Sequence, residues 1–371
     1  MTKLPLDIPL NDFHLARGAK MISFAGYNMP INYSSGIINE HNKVRTHCGI
    51  FDVSHMGQIL IPSSNYNICN LEKYIPLNLK KLKSNKSNYS FLLNEKGGII
   101  DDIIISNINL NKKTFFYIVY NASRKNHDEN IFIKHTKNYK ILKKNCLFAI
   151  QGPEAYRVLN KVIKIPNNIH FLDFFSTNIK LKNVLITRTG YTGEDGFEIS
   201  IPIERAENFL KKLLEDNNSI LCGLGSRDSL RVEAGLSLYG HELNEDITPI
   251  EAGLLWALDK ERLNDNNLNG NKELFDQLCN QPAKKKIGIK MENRTMIREG
   301  MTIVNKNNDK IGIVTSGCFS PTLNKSIGLG YISSDYSLSN EIFCKIRDKL
   351  EVIKISNLPF VKKNYNKGAI K

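Results

Sequence analysis

Apolar residues in this chain recur mainly with a period of two or in short unbroken runs, which predicts strands more often than helices. Gln58–Ile61, Phe115–Tyr120, Cys146–Pro153, Val184–Thr189 and Phe197–Ile201 read as strands. Helical spacing predicts short helices over 38–45, 70–74 and 154–162, one from Asn121 to about Lys137, and an amphipathic one over 203–216. Strands and helices mix without the regular alternation of a parallel sheet, so an α+β fold is expected. The strongest local signal is Phe91–Ser106. Apolar residues enter Asn94–Gly98 from both sides, and Gly97 and Gly98 are free to take positive φ. This predicts a β-hairpin whose outgoing strand starts at Ile99 and pairs with 115–120. At 280–286 the pattern changes: Gln281–Lys286 reads as a linker, and six short alternating segments follow between Ile287 and Ile355. Their spacing predicts a small all-β barrel or sandwich.

At 371 residues the chain is long enough for two or three core-bearing units. No apolar run reaches the ~18 residues of a membrane span. Pro5, Asp7 and Pro9 stand where a secretory leader needs an apolar core, so a cytoplasmic protein with nothing to cleave is expected. The formal net charge of +14 suits an acidic partner, a polyanionic small molecule or nucleic acid. Its lysines crowd loops such as 80–83 and 111–113, and no helix carries a basic face with interleaved aromatics, so nucleic acid is disfavoured. The seven cysteines are widely spaced with no CxxC pair, which predicts free thiols in a reducing compartment, and neither a disulfide framework nor a zinc site.

Candidate chemistry centres on Asp101 and Asp102, two carboxylates inside an apolar strand. Alternation sends them to opposite faces. They are either edge-strand charges that discourage aggregation or acids held for use. Asn121 follows the next strand, as a helix N-cap or as a side-chain amide near Asp102. The loop Gly190–Gly196 contains two acids and lacks a Gly-Lys-Ser/Thr closure, so it reads as a tight turn rather than a phosphate cradle. Glu198 beyond it points inward or to solvent. Ser226 suits an N-cap for a helix carrying Arg227, which can pair with Asp102, with Glu198, with a ligand or in a structural salt bridge. His55, at a strand start and without a nucleophile elbow, reads as a structural hydrogen-bonder.

Five stretches in order, Phe51–Met56, Gly97–Asp102, Gly190–Gly196, Arg227–Gly235 and Thr315–Thr322, resemble the successive signatures of the aminomethyltransferase (T-protein) family of the glycine cleavage system. The likeness runs from about Pro9 to Tyr365. It implies a three-domain cloverleaf around a central folate channel: residues 1–280 as a folate-binding core of two intertwined α+β subdomains, and 285–371 as a C-terminal β-barrel. It implies a chain that is monomeric when free, with tetrahydrofolate as co-substrate and lipoylated H-protein as partner, and no metal or membrane. By resemblance Asp102 is the catalytic acid and Glu198 reads the pterin amino edge. Arg227 and Tyr365 match folate contacts, and Tyr89, Ile104, Asn121, Tyr191, Tyr239 and Trp256 match channel-lining positions. For Trp256, the only tryptophan, core packing is the other reading. Arg298 matches a position near the folate tail. A basic rim would speed encounter with folate carboxylates and an acidic H-protein. Tyr27 stands where the family more usually has Trp. Two relatives of the same fold compete: a tetrahydrofolate-dependent demethylase, and a folate-binding iron–sulfur assembly factor. The latter is expected to carry a Lys-Gly-Cys-Tyr-type motif, which is absent from the chain.

Overall fold

The hairpin is the centre of a five-stranded sheet. In the computed structural model, which describes residues 4–179, 182–293, 295–336, 341–346, 349–365 and 368, strand Ile99–Leu110 lies between Lys86–Leu93 and Lys113–Tyr120, followed by Gly57–Pro62 and Lys140–Ile141. Asp101 and Asp102 are therefore on an inner strand, which removes the edge-strand reading. A second sheet of six strands runs Phe174–Ile179, Lys182–Thr187, Gly196–Pro202, Asn145–Gln151, Cys48–Asp52 and Ser219–Leu221. Every residue of Cys48–Asp52 is buried, and Asn145–Gln151 is buried beyond its first residue, as unbroken apolar runs require when both faces are covered.

Phe51, Val53, Tyr117, Val119, Leu147, Ala149 and Leu185 come from both sheets and form a shared core, so the sheets face each other. The six predicted C-terminal segments form one closed barrel, Lys284–Met291, Lys325–Ser333, Lys310–Ser320, Thr302–Val304, Ile342–Ile346 and Lys349–Ser356 in spatial order. This selects the barrel over the sandwich. Among the described residues, no helix is long and apolar enough to cross a membrane.

Several local expectations change. The predicted linker is shorter, because helix Asn271–Asn280 ends at once and Lys284 already lies in the barrel. The helix expected at 70–74 is Asn65–Leu71, started by Ser64 Oγ accepting from Asn67 N–H. Ser226 is not an N-cap. It lies within helix Leu224–Glu233, and its hydroxyl donates to Glu40, a buried carboxylate that also accepts from Tyr33 and Gly223 N–H.

Helix Leu224–Glu233 is joined to the barrel by charge-assisted hydrogen bonds. Glu233 accepts from Arg45 at 2.7 Å, from Thr322 N–H and hydroxyl at 3.1 and 2.8 Å, and from Ser320, with His41 at 3.2 Å. Glu242 accepts from Arg231 at 2.8 Å and from Thr315 and Ser316 at 2.6 Å. Two of the signature stretches therefore meet as an interdomain lock.

Candidate active site

Turn chemistry places the two aspartates. Gly97 takes φ +78°, and a Cβ on Gly98 would lie 1.8 Å from the Glu245 carbonyl oxygen, so only glycine fits. Asn94 Oδ1 accepts from Lys96 and Gly98 N–H, both at 2.9 Å. Just beyond, the pairing register slips by one residue, leaving Asp101 opposite Leu92 and Asp102 opposite Phe91. Such a bulge re-aims side chains. Beyond the bulge the alternation resumes, with Asp101 fully buried and Asp102 half-buried, and one amide just past the end of the paired strand Lys113–Tyr120 reaches both acids. Asn121 Nδ2 donates to Asp101 Oδ1 at 2.8 Å and Asp102 Oδ1 at 2.7 Å, and Asn121 N–H donates to Asp101 Oδ2 at 2.8 Å. Asn121 makes no side-chain cap for the helix that follows, so the N-cap reading fails here.

Tyr89 donates to Asp102 Oδ2 at 3.0 Å and stacks on Trp256 at 5.6 Å. Trp256 is 68% exposed, which removes its core-packing reading. Burial, then the neighbouring Asp101 charge, pushes the Asp102 carboxyl up to about 7, against the hydrogen bonds from Tyr89 and Asn121. Ile104, two residues beyond Asp102 on its strand, is the cross-strand partner of Tyr89 and half-buried.

Across from this group, Glu198 projects from strand Gly196–Pro202 and is half-buried. Burial raises its carboxyl, with the Arg227 charge opposing, and no hydrogen bond among the described residues reaches it. Arg227 forms none of the salt bridges considered for it. Its guanidinium lies 4.9 Å over the Tyr191 ring and 5.9 Å from that of Phe51, and Nη1 is buried without a partner among the described residues. Tyr191 feels the charges of both Asp102 and Arg227, and its hydroxyl donates to the Ser237 carbonyl, so both halves border one interior.

His55 is buried there too, its Nδ1 unpartnered among the described residues, its ring edge-on to Phe24 and Tyr27. It is not the hydrogen-bonder expected. Burial, then Arg227, pushes its imidazole down to about 3, so it is neutral. Tyr239 lies under the Arg124 guanidinium at 5.4 Å. Tyr365 stacks on Phe171 at 4.3 Å, where the chain end is tied to the Gly190–Gly196 turn by Asn364 N–H donating to Gly193 at 2.8 Å. Arg298 is exposed on an open barrel groove with Thr295, Met296 and Lys345.

Asp101 as the shared acceptor, Asp128 beside it and the neutral His55 escaped the sequence reading. Only the apolar setting of Asp101 signalled a cost to be met.

Comparison with known proteins gives a consistent result. Residues 10–262 match the family model described as the GCVT N-terminal domain, and 284–362 match the glycine cleavage T-protein C-terminal barrel domain. The probable mitochondrial aminomethyltransferase of Schizosaccharomyces pombe is 40% identical, with 97% of this chain and 94% of that protein covered. The mitochondrial aminomethyltransferase of Homo sapiens is 36% identical over 96% and 90%. The crystal structure of the glycine cleavage system aminomethyltransferase T of Bartonella henselae superposes with a TM-score of 0.90 at 36% identity, covering 97% of this chain and 99% of that one. A two-sheet core locked to a six-stranded barrel around unpaired interior charges is thus a one-carbon transferase of the T-protein fold. The chain belongs to the glycine cleavage T-protein family of aminomethyltransferases.

The expectation of a cytoplasmic protein is overturned by these relatives, since those of S. pombe and human are mitochondrial. That expectation rested on the missing apolar core of a secretory leader, which bears on export alone.

Proposed function

We propose that this chain transfers the methylene of an aminomethyl group on the lipoyl sulfur of H-protein to tetrahydrofolate. Ammonia, dihydrolipoyl H-protein and 5,10-methylenetetrahydrofolate are the products. The observation that carries the reading is the raised, half-buried Asp102 sharing an interior with an unpaired Glu198 carboxylate and an unpaired Arg227 guanidinium. A pterin edge presents N–H donors and a carbonyl acceptor, complementary to a carboxylate and a guanidinium. In this reading Glu198 takes the amino edge and Arg227 a folate-side contact. Tyr89, Ile104, Asn121, Tyr191, Tyr239 and Trp256 border the channel, Tyr365 closes the chain-end side, and Arg298 serves the folate tail.

Asp102 then does three things. It orients the folate nitrogens, accepts a proton as N5 bonds to the methylene carbon, and stabilises positive charge on that carbon as ammonia leaves. Closure by N10 breaks the carbon–sulfur bond. The two folate N–H protons leave one with ammonia and one with the lipoyl thiol. A carboxyl pushed up to about 7 is suited to taking and returning a proton at neutral pH.

The test is ammonia release from aminomethyl-loaded H-protein and tetrahydrofolate, beside Asp102→Asn. Turnover that collapses in the variant while folate still binds supports the reading. Equal rates in both proteins would remove Asp102 from the chemistry. Folate binding without turnover in the unaltered chain would favour a demethylase or an assembly factor.

A further inference from the structure

Asp128 is fully buried on helix Lys125–His135, and among the described residues neither of its carboxyl oxygens has a hydrogen-bond donor. An ionised carboxylate in that state is strongly disfavoured, and a second ionised carboxylate beside it adds repulsion. Its neighbour is Asp101, also fully buried, and the two carboxyls are within hydrogen-bonding reach. Only one of a facing buried pair stays ionised, and the donor count decides which. Asp101 receives two N–H donors from Asn121, each at 2.8 Å, and both favour its charged form. Asp128 receives none.

We infer that Asp128 is a neutral acid whose O–H donates to Asp101, as a positioning residue that keeps Asp101 negative beside Asp102. The chain of contacts runs Asp128, Asp101, Asn121 Nδ2, Asp102. Its effect follows from sign: the Asp101 charge is the second cause, after burial, of the raised Asp102 carboxyl. The other charged and titratable groups around Asp128 leave the assignment in place. Burial and the Asp101 charge drive its carboxyl upward, and only Arg124 opposes. His127 Nδ1 lies 3.7 Å away, beyond hydrogen-bond distance, and its own imidazole is pushed down by burial and Arg124. Tyr120 donates to Glu129, not to Asp128, and the Tyr239 hydroxyl is raised and stays neutral.

The inference rests on Asp102 as the reacting carboxylate, and two variants separate it from a packing role. Asp128→Asn keeps an N–H donor toward Asp101 and adds no charge, so the acidic limb of the turnover–pH profile stays where it is. Asp128→Ala leaves Asp101 one donor short. Asp101 then takes up a proton, its charge is lost, and the limb moves to lower pH by about one unit. A limb that moves down equally in Asp128→Asn overturns the inference, because it means that a negative charge was removed. So does an unmoved limb in an active Asp128→Ala.

An infrared difference spectrum of unaltered protein against Asp128→Asn at about pH 8 gives a readout without turnover. A carboxylic-acid C=O band present only in the former supports a protonated Asp128, and its absence overturns it. If the unaltered protein shows the band without turnover, the reaction assignment fails and the proton assignment stands.

Discussion

Replacing Asn121 with alanine removes one N–H₂ group and leaves two carboxylates short of a donor. The Asp101 carboxylate keeps the Asn121 backbone N–H at 2.8 Å, while the side chain left on Asp102 is the Tyr89 hydroxyl at 3.0 Å. The lost bond to Asp102, 2.7 Å long, is charge-assisted. Bonds of that kind contribute about 1.5–3 kcal/mol in favour of the ionised form. At about 1.4 kcal/mol per unit, the Asp102 carboxyl moves from about 7 up to about 8–9. The ionised fraction at pH ~7.4 then falls about 4- to 30-fold. Asp101 loses a donor as well, but it keeps the Asn121 backbone N–H and the Asp128 O–H and so stays charged; the direct loss at Asp102 then sets the sign, because removing a donor from a carboxylate raises its proton affinity. Initial rates of ammonia release, measured across about pH 6–9.5 with saturating folate, read the limb directly. The expected result is a limb displaced upward by one to two units, with turnover recovering at its alkaline end. A uniform loss at every pH with the limb unmoved would refute the reasoning and make Asn121 a packing or substrate-contact residue.

Two other changes probe different parts of the molecule. Glu198→Gln replaces an acceptor-only group by one that also presents N–H, so the KM for tetrahydrofolate is expected to rise roughly 10- to 100-fold with a smaller effect on kcat; an unchanged KM would remove Glu198 from the folate edge. For Glu233, burial acts upward, but the His41 hydrogen bond and charge, Ser320 and Arg45 outweigh it and hold the carboxyl down at about 2. A depressed carboxylate stabilises the fold above its unfolded pKa and loses that contribution as pH falls toward 2, here about 3 kcal/mol. Glu233→Gln is therefore expected to lower Tm at neutral pH and flatten the loss of stability below about pH 4.5, with equal acid slopes in both proteins as the contrary result in calorimetry.

Legibility in the sequence follows the range of the interaction. The hairpin, its partner strand and all six barrel strands are written in alternation and turn residues, which act within a few positions. Asn121 was ambiguous because an Asn after a strand suits an N-cap. What claims its amide is a carboxylate pair about twenty residues back, brought beside it by the strand register that sets Ile103 opposite Tyr120. Ser226 went the same way, since the buried Glu40 that binds it lies 186 positions distant. The role of Thr315–Thr322 was hidden for a like reason: its hydroxyls meet Glu233 and Glu242 only once the barrel has closed on the helix. Motif order identified the family without disclosing that two of the motifs join domains.

The distribution of satisfied and unsatisfied charge separates those roles. Glu233 is buried against Arg45 and His41, and Glu242 against Arg231, each with further hydrogen bonds, so removal of one charge leaves its own partner uncompensated. That is the signature of a lock. Arg227, Glu198 and His55 share an interior in which Arg227 Nη1 and His55 Nδ1 have no partner and no described donor reaches Glu198. Each is a standing cost to folding that well-packed apolar residues would avoid. On the proposed reading a bound pterin supplies the missing partners, so the cost is relieved on binding and appears as affinity and orientation. This orders the effects of mutation. Changes in the lock destabilise the free protein, whereas apolar replacement of Glu198 or Arg227 leaves the free protein as stable or more so while folate binding is lost.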